Sequence, residues 1–132
     1  MGIPAFLVSS SLRLVVAQRQ VRKICPACKA TSRLDEESLI PYGHIPRERR
    51  ARTLYEGKGC AGCNFAGMRG RIAIYEVMPA SQEIRELISR TAPASEIREM
   101  AKQQGMKTLR EAGLVKVLDG LTTLDEVLRV TE

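Results

Sequence analysis

The spacing of hydrophobic residues along the chain changes at Pro79. Before it, residues 71–78 (Arg-Ile-Ala-Ile-Tyr-Glu-Val-Met) are rich in β-branched and aromatic side chains, which predicts a strand that ends at Pro79. After it, hydrophobic residues recur every three or four positions, as they do on the buried face of amphipathic helices. The pattern therefore predicts an α+β fold in which short strands precede a set of helices.

Four short helices are predicted within residues 79–132. Their predicted starts are Ser81, Pro93, Thr108 and Thr123. Their inward-facing apolar residues are Ile84, Leu87, Ile88, Ile97, Met100, Ala101, Leu114, Val117, Leu118, Val127, Leu128 and Val130. Thr108–Glu111 and Thr123–Glu126 each match a capping box, in which hydroxyl and carboxylate bind each other's backbone N–H groups. The brief connections predict a compact C-terminal four-helix subdomain.

The N-terminal pattern is weaker than the C-terminal one. Ser9–Ser11 offers helix N-caps, and three apolar residues follow at helical spacing, which predicts a helix that reaches Arg19. These apolar residues are Leu12, Val15 and Val16. Residues 19–24 are predicted to be extended and to lead into the first cysteine pair.

The chain is basic only in its first part. Its formal net charge is +6; residues 1–79 hold 13 Lys and Arg against 6 Asp and Glu, whereas residues 80–132 hold 8 against 9. A basic surface binds nucleic acid or an anionic membrane, or is simply solvated beside an anionic metal centre. The densest run, residues 47–52, is predicted to be a short exposed helix or an irregular loop.

The cysteines predict a structural zinc site. They form two Cys-x-x-Cys pairs, Cys25 with Cys28 and Cys60 with Cys63, and 31 residues separate the pairs. Structural zinc takes four soft ligands in a tetrahedron, and each pair places two sulfurs on one side of a tight turn. Pro26 favours the first turn, while Gly59 and Gly62 relieve strain in the second and let backbone N–H groups approach the sulfurs. The flanking cations Lys23, Lys29, Lys58 and Arg69 offset the negative charge of four thiolates.

Three other readings of the cysteines are weaker. Two disulfides suit a secreted protein, but no export signal is seen. A redox Cys-x-x-Cys of the thioredoxin type lies at the start of a helix in a βαβ unit. One such pair is sufficient for redox chemistry, so the second pair would have no role. Unrelated buried cysteines would not fall into this spacing. The lone histidine, His44, lies between Pro41 and Pro46 and is predicted to be a surface loop residue, which leaves a closed four-cysteine shell.

The sequence lacks the short motifs of the common nucleotide-binding and catalytic sites. The patterns GxxxxGK[ST], HExxH and GxSxG are all absent, so no catalytic residue is predicted. Three tyrosines, two phenylalanines and no tryptophan give little surface for stacking on single-stranded nucleic acid, so no specific nucleic acid is expected. The first six residues lack the pattern of a signal peptide, and the expected location is cytoplasmic.

Seven segments form a series that runs the length of the chain. They are Met1–Leu12, Val16–Arg19, Cys25–Cys28, Gly59–Asn64, Gly70–Glu76, Gly105–Arg110 and Gly120–Thr131. This series resembles the C-terminal end of the ATPases that drive type II secretion and type IV pilus assembly. Gln20, Phe65, Ala66 and Met68 depart from that family's usual residues but leave the cysteines untouched. The family includes retraction motors without zinc, so the cysteines favour its assembly and secretion branches.

The resemblance implies that this chain is the tail of a longer protein with a RecA-like ATPase core. Residues 1–24 would be the last elements of that core, and residues 25–70 a metal-binding subdomain. Residues 71–78 would be a strand returning to the core sheet, and residues 79–132 the C-terminal helical subdomain. ATP and Mg²⁺ would bind only in the parent protein.

The resemblance also implies partners and a location. Such ATPases form hexameric rings on the cytoplasmic side of the bacterial inner membrane and act on inner-membrane platform proteins. Arg69 and Arg71 would compensate the charge of the metal centre or, less simply, reach a neighbouring subunit or its nucleotide.

Two functional hypotheses follow. In the first, the chain is a non-catalytic, zinc-stiffened module of a secretion or pilus motor that contacts partners. In the second, it is a free-standing zinc ribbon that binds nucleic acid through its basic linker. The residues of that linker interface would be Arg47, Arg49, Arg50, Arg52 and Lys58.

Overall fold

A computed structural model describes residues 2–45 and 53–131 of the chain, so the predicted helix or loop over residues 47–52 lies outside the described residues. The helices are α1 (Ala5–Ser11), α2 (Gln82–Ser89), α3 (Ala94–Gln103), α4 (Leu109–Leu118) and α5 (Leu124–Val130), and the strands are β1 (Leu14–Ile24), β2 (Lys29–Thr31), β3 (Tyr55–Gly57) and β4 (Met68–Pro79). Short 3₁₀ turns occupy Glu36–Tyr42 and Ala61–Cys63. The α+β fold, with short strands before the four C-terminal helices, is confirmed.

The chain forms two compact units. The first unit comprises Met1–Ala17 and Glu76–Thr108, and the second comprises Gln18–Tyr75 and Leu109–Glu132. Strands β1 and β4 pair in a two-stranded sheet, and β2 and β3 pair in another. The second unit thus contains α4 and α5 together with the cysteines. The domain boundaries implied by the resemblance stay a prediction.

The predicted helix from Ser9 to Arg19 is wrong, because a helix ends and a strand begins within this segment. Ser9–Ser11 forms the last part of α1. Its hydroxyls donate to carbonyls of that same helix, including Ser11 Oγ to Leu7 O at 2.7 Å, and do not cap a following one. Leu14–Ile24 is then extended as β1, in keeping with its β-branched residues and the strand β4 beside it.

Helices α1 and α2 are joined by polar contacts in the first unit. Ser9 Oγ and Ser89 Oγ lie 2.7 Å apart, and Arg85 donates to the carbonyl of Leu12 at 2.9 Å, at the end of α1. Ser81 caps α2 as predicted, since its hydroxyl accepts from Ile84 N at 3.3 Å. Among the described residues, no helix is long and apolar enough to cross a lipid bilayer.

The core of the second unit draws on strands, loop and helices at once. Its fully buried side chains include Val21 of β1, Ile74 of β4, and Leu114 of α4. Leu39, in the linker between the two cysteine pairs, also has no exposed surface. The 3₁₀ turn that positions Leu39 is capped by Asp35, whose carboxylate accepts from Ser38 N at 3.3 Å. The linker is therefore partly folded into the core.

Helices α4 and α5 approach closely at Gly113. A Cβ at that position would lie 2.6 Å from a methyl carbon of Val127, well inside van der Waals contact. Gly113 is buried within α4, where glycine would otherwise be unfavourable by about 1 kcal/mol relative to alanine. The close helix packing explains why a glycine occupies a helix interior here.

The carboxylate of Glu126 fastens α5 to β1. It accepts from the backbone N–H of Arg22 at 2.8 Å and from the guanidinium groups of Arg22 and Arg129 at 2.8–3.0 Å. Thr123 caps α5 as predicted, accepting from Glu126 N at 3.3 Å. The second hydrogen bond of the predicted capping box, from Thr123 N to the Glu126 carboxylate, is wrong. The carboxylate binds Arg22 and Arg129 instead. These donors, the Arg129 guanidinium first, lower the pKa of Glu126 from 4.5 to about 2.

The Glu126 contacts predict a specific acid dependence of stability. Because the pKa of Glu126 is lower in the folded chain, its stabilisation is complete above pH 4.5 and is lost as the pH falls towards 2. Glu126→Gln is expected to lower the free energy of unfolding at pH 7 by about 1–3 kcal/mol, the arginines being half exposed, and to flatten its decline below pH 4.5.

Urea unfolding of both proteins between pH 3 and pH 7 would measure this difference. Glu56→Gln is the matched control, since the Glu56 carboxylate pairs with Lys58 on the surface and should contribute less than about 1 kcal/mol. Equal effects of the two substitutions would contradict the assigned role of Glu126.

Candidate metal centre

Two pairs of strand ends bring the cysteines together. Cys25 directly follows β1 and Cys28 directly precedes β2. Cys60 and Cys63 lie between β3 and β4, with Cys63 ending a 3₁₀ turn. Strands β2 and β3 pair antiparallel, with Lys29 opposite Gly57. The pairing closes the 31-residue excursion and places the two Cys-x-x-Cys turns side by side.

The four sulfurs have the spacing of a tetrahedral zinc shell. All lie within 4.8 Å of one another. The Sγ–Sγ distances are 3.9 Å for Cys25–Cys60, 3.8 Å for Cys28–Cys63 and 3.7 Å for Cys60–Cys63. Four sulfurs bound at about 2.3 Å to one zinc ion are about 3.8 Å apart. A disulfide needs about 2.05 Å, so these distances exclude the two-disulfide alternative.

Backbone N–H groups point at the sulfurs, as expected for a thiolate-rich site. Gly59 N lies 3.3 Å from Cys28 Sγ, and Gly67 N lies 3.2 Å from Cys63 Sγ. Cys60 N approaches the same Cys63 sulfur at 3.4 Å. These donors stabilise the negative charge of thiolates, which are the form that binds a metal.

The prediction that glycines relieve strain in the second cysteine turn is confirmed for Gly59 and is wrong for Gly62. Gly67 has that role instead. Gly59 has φ +94°, and a Cβ there would lie 2.9 Å from Phe65 O. Gly67 has φ +77°, and its carbonyl accepts from Cys25 N at 3.0 Å, which ties the two cysteine turns together. A Cβ at Gly62 would meet only ordinary contacts. The only sequence signal for this role of Gly67 is its position four residues after Cys63.

The local environment separates the acidities of the thiols. Partial burial raises the pKa of Cys28 from 9.0 to about 11. Hydrogen bonds from backbone amides, that of Cys60 first and then that of Gly67, lower the pKa of Cys63 to about 6. Zinc binds thiolates, so filling the shell would release the remaining thiol protons.

The other predicted residues do not join the sulfur cluster. His44 is exposed and is outside the group of ligand atoms found in the part of the chain that the structure describes. Arg69 lies near the second turn, its guanidinium 4.0 Å from where a Cβ of Gly62 would be. Arg71 is exposed on β4. The assignment of Arg69 and Arg71 to charge compensation or to intersubunit contact stays a prediction.

The nucleic-acid alternative gains no support from the described residues. Arg47, Arg49, Arg50 and Arg52 lie outside them. Lys58, the remaining member of that predicted interface, binds the carboxylate of Glu56 at 3.0 Å.

Comparisons with known proteins identify relatives along the whole chain. A family model described as "Type II/IV secretion system protein" matches residues 1–129. The chain is 48% identical over 129 residues to the "Type IV pilus assembly ATPase PilB" of Myxococcus xanthus, covering 97% of this chain and 23% of the relative. It is 43% identical over 131 residues to the "Type II secretion system protein E" of Pseudomonas aeruginosa, covering 99% and 26%. The chain thus spans about a quarter of the length of these relatives.

The sulfur geometry predicts one tightly bound zinc ion per chain. Cys28→Ser and Cys63→Ser are each expected to abolish stoichiometric binding, because three thiolates leave the tetrahedron incomplete. Zinc content by elemental analysis and the spectrum of the cobalt-substituted protein would measure this. Asn64→Gly is the matched control: Asn64 lies in the second turn at φ 54° but offers no ligand, so this variant should keep its zinc. A reduced wild-type chain that binds no zinc would contradict the prediction.

Zinc removal is also expected to act beyond the cysteine turns. Ile24 N donates to Leu121 O at 2.9 Å, and Thr122 Oγ1 donates to Arg22 O at 2.7 Å, so the strand entering the site is held by the α4–α5 loop. Hydrogen exchange after chelation should therefore accelerate in β1, α4 and α5 more than in α2 and α3. Acceleration confined to residues 25–70 would show that the loop does not transmit the loss.

Proposed function

The chain belongs to the family of type II/IV secretion system proteins, and from this premise we propose that it is the zinc-binding C-terminal module of a secretion or pilus-assembly ATPase. The observation that carries the proposal is the family match over residues 1–129. The module itself is structural and contacts partners, while the nucleotide-binding motifs lie elsewhere in the parent protein.

The proposed metal ligands are Cys25, Cys28, Cys60 and Cys63, with zinc in a structural role. Three sulfur–sulfur distances of 3.7–3.9 Å support a shell that a single zinc ion would fill. Four protein ligands leave no position for a substrate or an activated water, and catalytic zinc requires one. The ion would therefore stiffen the two turns and the segment between them.

The proposed parent couples ATP hydrolysis to type II secretion or to pilus extension. Relatives named as type IV pilus assembly ATPase and as type II secretion system protein support both branches. The parent would bind ATP and Mg²⁺, assemble as a hexamer on the cytoplasmic side of the inner membrane, and act on platform proteins of the membrane machine.

The exposed apolar residues of the first unit support the proposal that residues 1–24 complete a larger core. Phe6 is 63% exposed on α1. On β1, the consecutive residues Leu14, Val15 and Val16 are each 39–51% exposed. Successive strand residues face opposite sides, so the start of β1 carries half-exposed apolar side chains on both faces, as expected for a strand in a sheet whose two faces are covered. Preceding parts of the parent would cover them.

The proposal predicts that loss of the zinc site leaves ATP binding by the parent protein intact but abolishes transport. The isolated chain should not hydrolyse ATP, and the parent carrying Cys28→Ser and Cys63→Ser should bind ATP with unchanged affinity but lose secretion or pilus extension. Nucleotide binding and hydrolysis by the purified proteins, and transport in cells, would measure this.

The parent carrying Asn64→Gly is the control and should keep both ATP binding and transport. Hydrolysis by the isolated chain would refute a non-catalytic module. Normal transport by the double cysteine variant would refute the structural role of zinc.

A further inference from the structure

An open groove beside the first cysteine turn gathers three cations in the second unit. Its volume is about 420 Å³, and its lining includes Lys23 from β1, Lys29 from β2 and Arg69 from β4. Gly70 and Gly120 also line it. These residues come from separate elements, so the fold, and not one basic stretch of sequence, concentrates the charge there. We call this site the basic groove.

The two glycines make room for the lysine side chains. Gly70 has φ +79°, and a Cβ there would lie 3.2 Å from Lys23 Cε. Gly120 has φ +77°, and a Cβ there would lie 3.0 Å from Lys29 Nζ. The Lys29 ammonium also sits 4.5 Å from the centroid of the Tyr55 ring, a cation–π contact that holds it at the rim. The lysines are thus positioned by the fold.

Among the described residues, the three cations have no acidic partner, whereas other cations of the same unit do. Arg22 and Arg129 both bind Glu126, and Lys58 binds Glu56. Within residues 2–45 and 53–131, no ion pair joins Lys23, Lys29 or Arg69 to a carboxylate, and no acidic side chain lines the basic groove. Three converging cations repel one another, so their arrangement favours an anion between them.

Charge compensation of the metal centre explains the cations less completely. Four thiolates around Zn²⁺ carry two negative charges. Yet no cysteine is among the described residues that line the basic groove. The sulfurs are already served by the backbone N–H groups of Gly59, Cys60 and Gly67. The cations therefore share an open groove that the cysteines do not line.

We propose that the basic groove binds a phosphate group. Lysine binds phosphate as a point charge, and the planar guanidinium of arginine donates two parallel hydrogen bonds to its oxygens. Two lysines and one arginine around a small groove match a single tetrahedral dianion or phosphodiester. The phosphate belongs either to a soluble phosphate ester or to the headgroup of an anionic phospholipid, since both present the same oxygens.

Amide chemical shifts of the full, zinc-loaded chain would test the proposal. Inorganic phosphate, ATP, vesicles of phosphatidylglycerol and vesicles of phosphatidylcholine serve as four separate probes. The amides of Gly70 and Gly120 should respond in a saturable way to phosphate or to ATP, or broaden with phosphatidylglycerol vesicles and not with phosphatidylcholine. A response to the soluble probes alone identifies a soluble ester, and a response to anionic vesicles identifies a headgroup. Silence with all probes overturns the proposal.

Charge-matched variants separate a site from general attraction. Lys23→Gln and Arg69→Gln should each weaken phosphate binding about tenfold, as expected for one charge-assisted hydrogen bond. Arg71→Gln removes the same charge two residues along β4, outside the basic groove, and should change affinity less than about twofold. Equal losses in Arg69→Gln and Arg71→Gln would overturn the proposal. So would variants of Lys23 and Arg69 that lose zinc affinity while phosphate binding is unchanged.

Discussion

Convergence of the four cysteine sulfurs constrains more of this chain than any other interaction. It fixes the end of β1 and the start of β2, which Cys25 and Cys28 adjoin, and the connection from β3 to β4, which carries Cys60 and Cys63. Cys25 N donates to Gly67 O, and Gly67 N in turn approaches Cys63 Sγ, so the backbone of one turn supports the sulfur of the other. The proposed metal ligands and the local hydrogen bonds therefore specify the same geometry.

A few polar contacts connect the α4–α5 segment to β1, the strand that leads into the cysteine cluster. Thr122 and Glu126 bind the carbonyl and the amide of Arg22, and Leu121 accepts from Ile24. Strand β1 thus has one set of partners in β4 and another in the α4–α5 segment. Glu126 is buried with its charge, which is favourable only because two guanidinium groups and one N–H surround it.

The sequence predicted the features that depend on local chemistry. The cysteine spacing, the strand before Pro79 and the caps at Ser81 and Thr123 were readable because each is set by neighbouring residues. The wrong helix near the N-terminus reflects long-range pairing. The apolar residues of Leu12–Arg19 have helical spacing, but most of this segment forms a strand that pairs with β4. Neither the burial of Leu39 nor the grouping of α4 and α5 with the cysteines has a local signal, since both arise from contacts between distant segments.

The proposed metal centre would also account for how strands as short as β2 and β3 can be stable in the second unit. Strands β2 and β3 each have three residues, too few to be stable as an isolated hairpin. Closing the 31-residue segment between the cysteine pairs costs entropy that grows only slowly with its length. Structural zinc contributes about 10–16 kcal/mol in small peptides, which exceeds that cost. The ion would thus replace the longer strands that a metal-free version of this unit would need, leaving the segment free to carry Leu39 into the core.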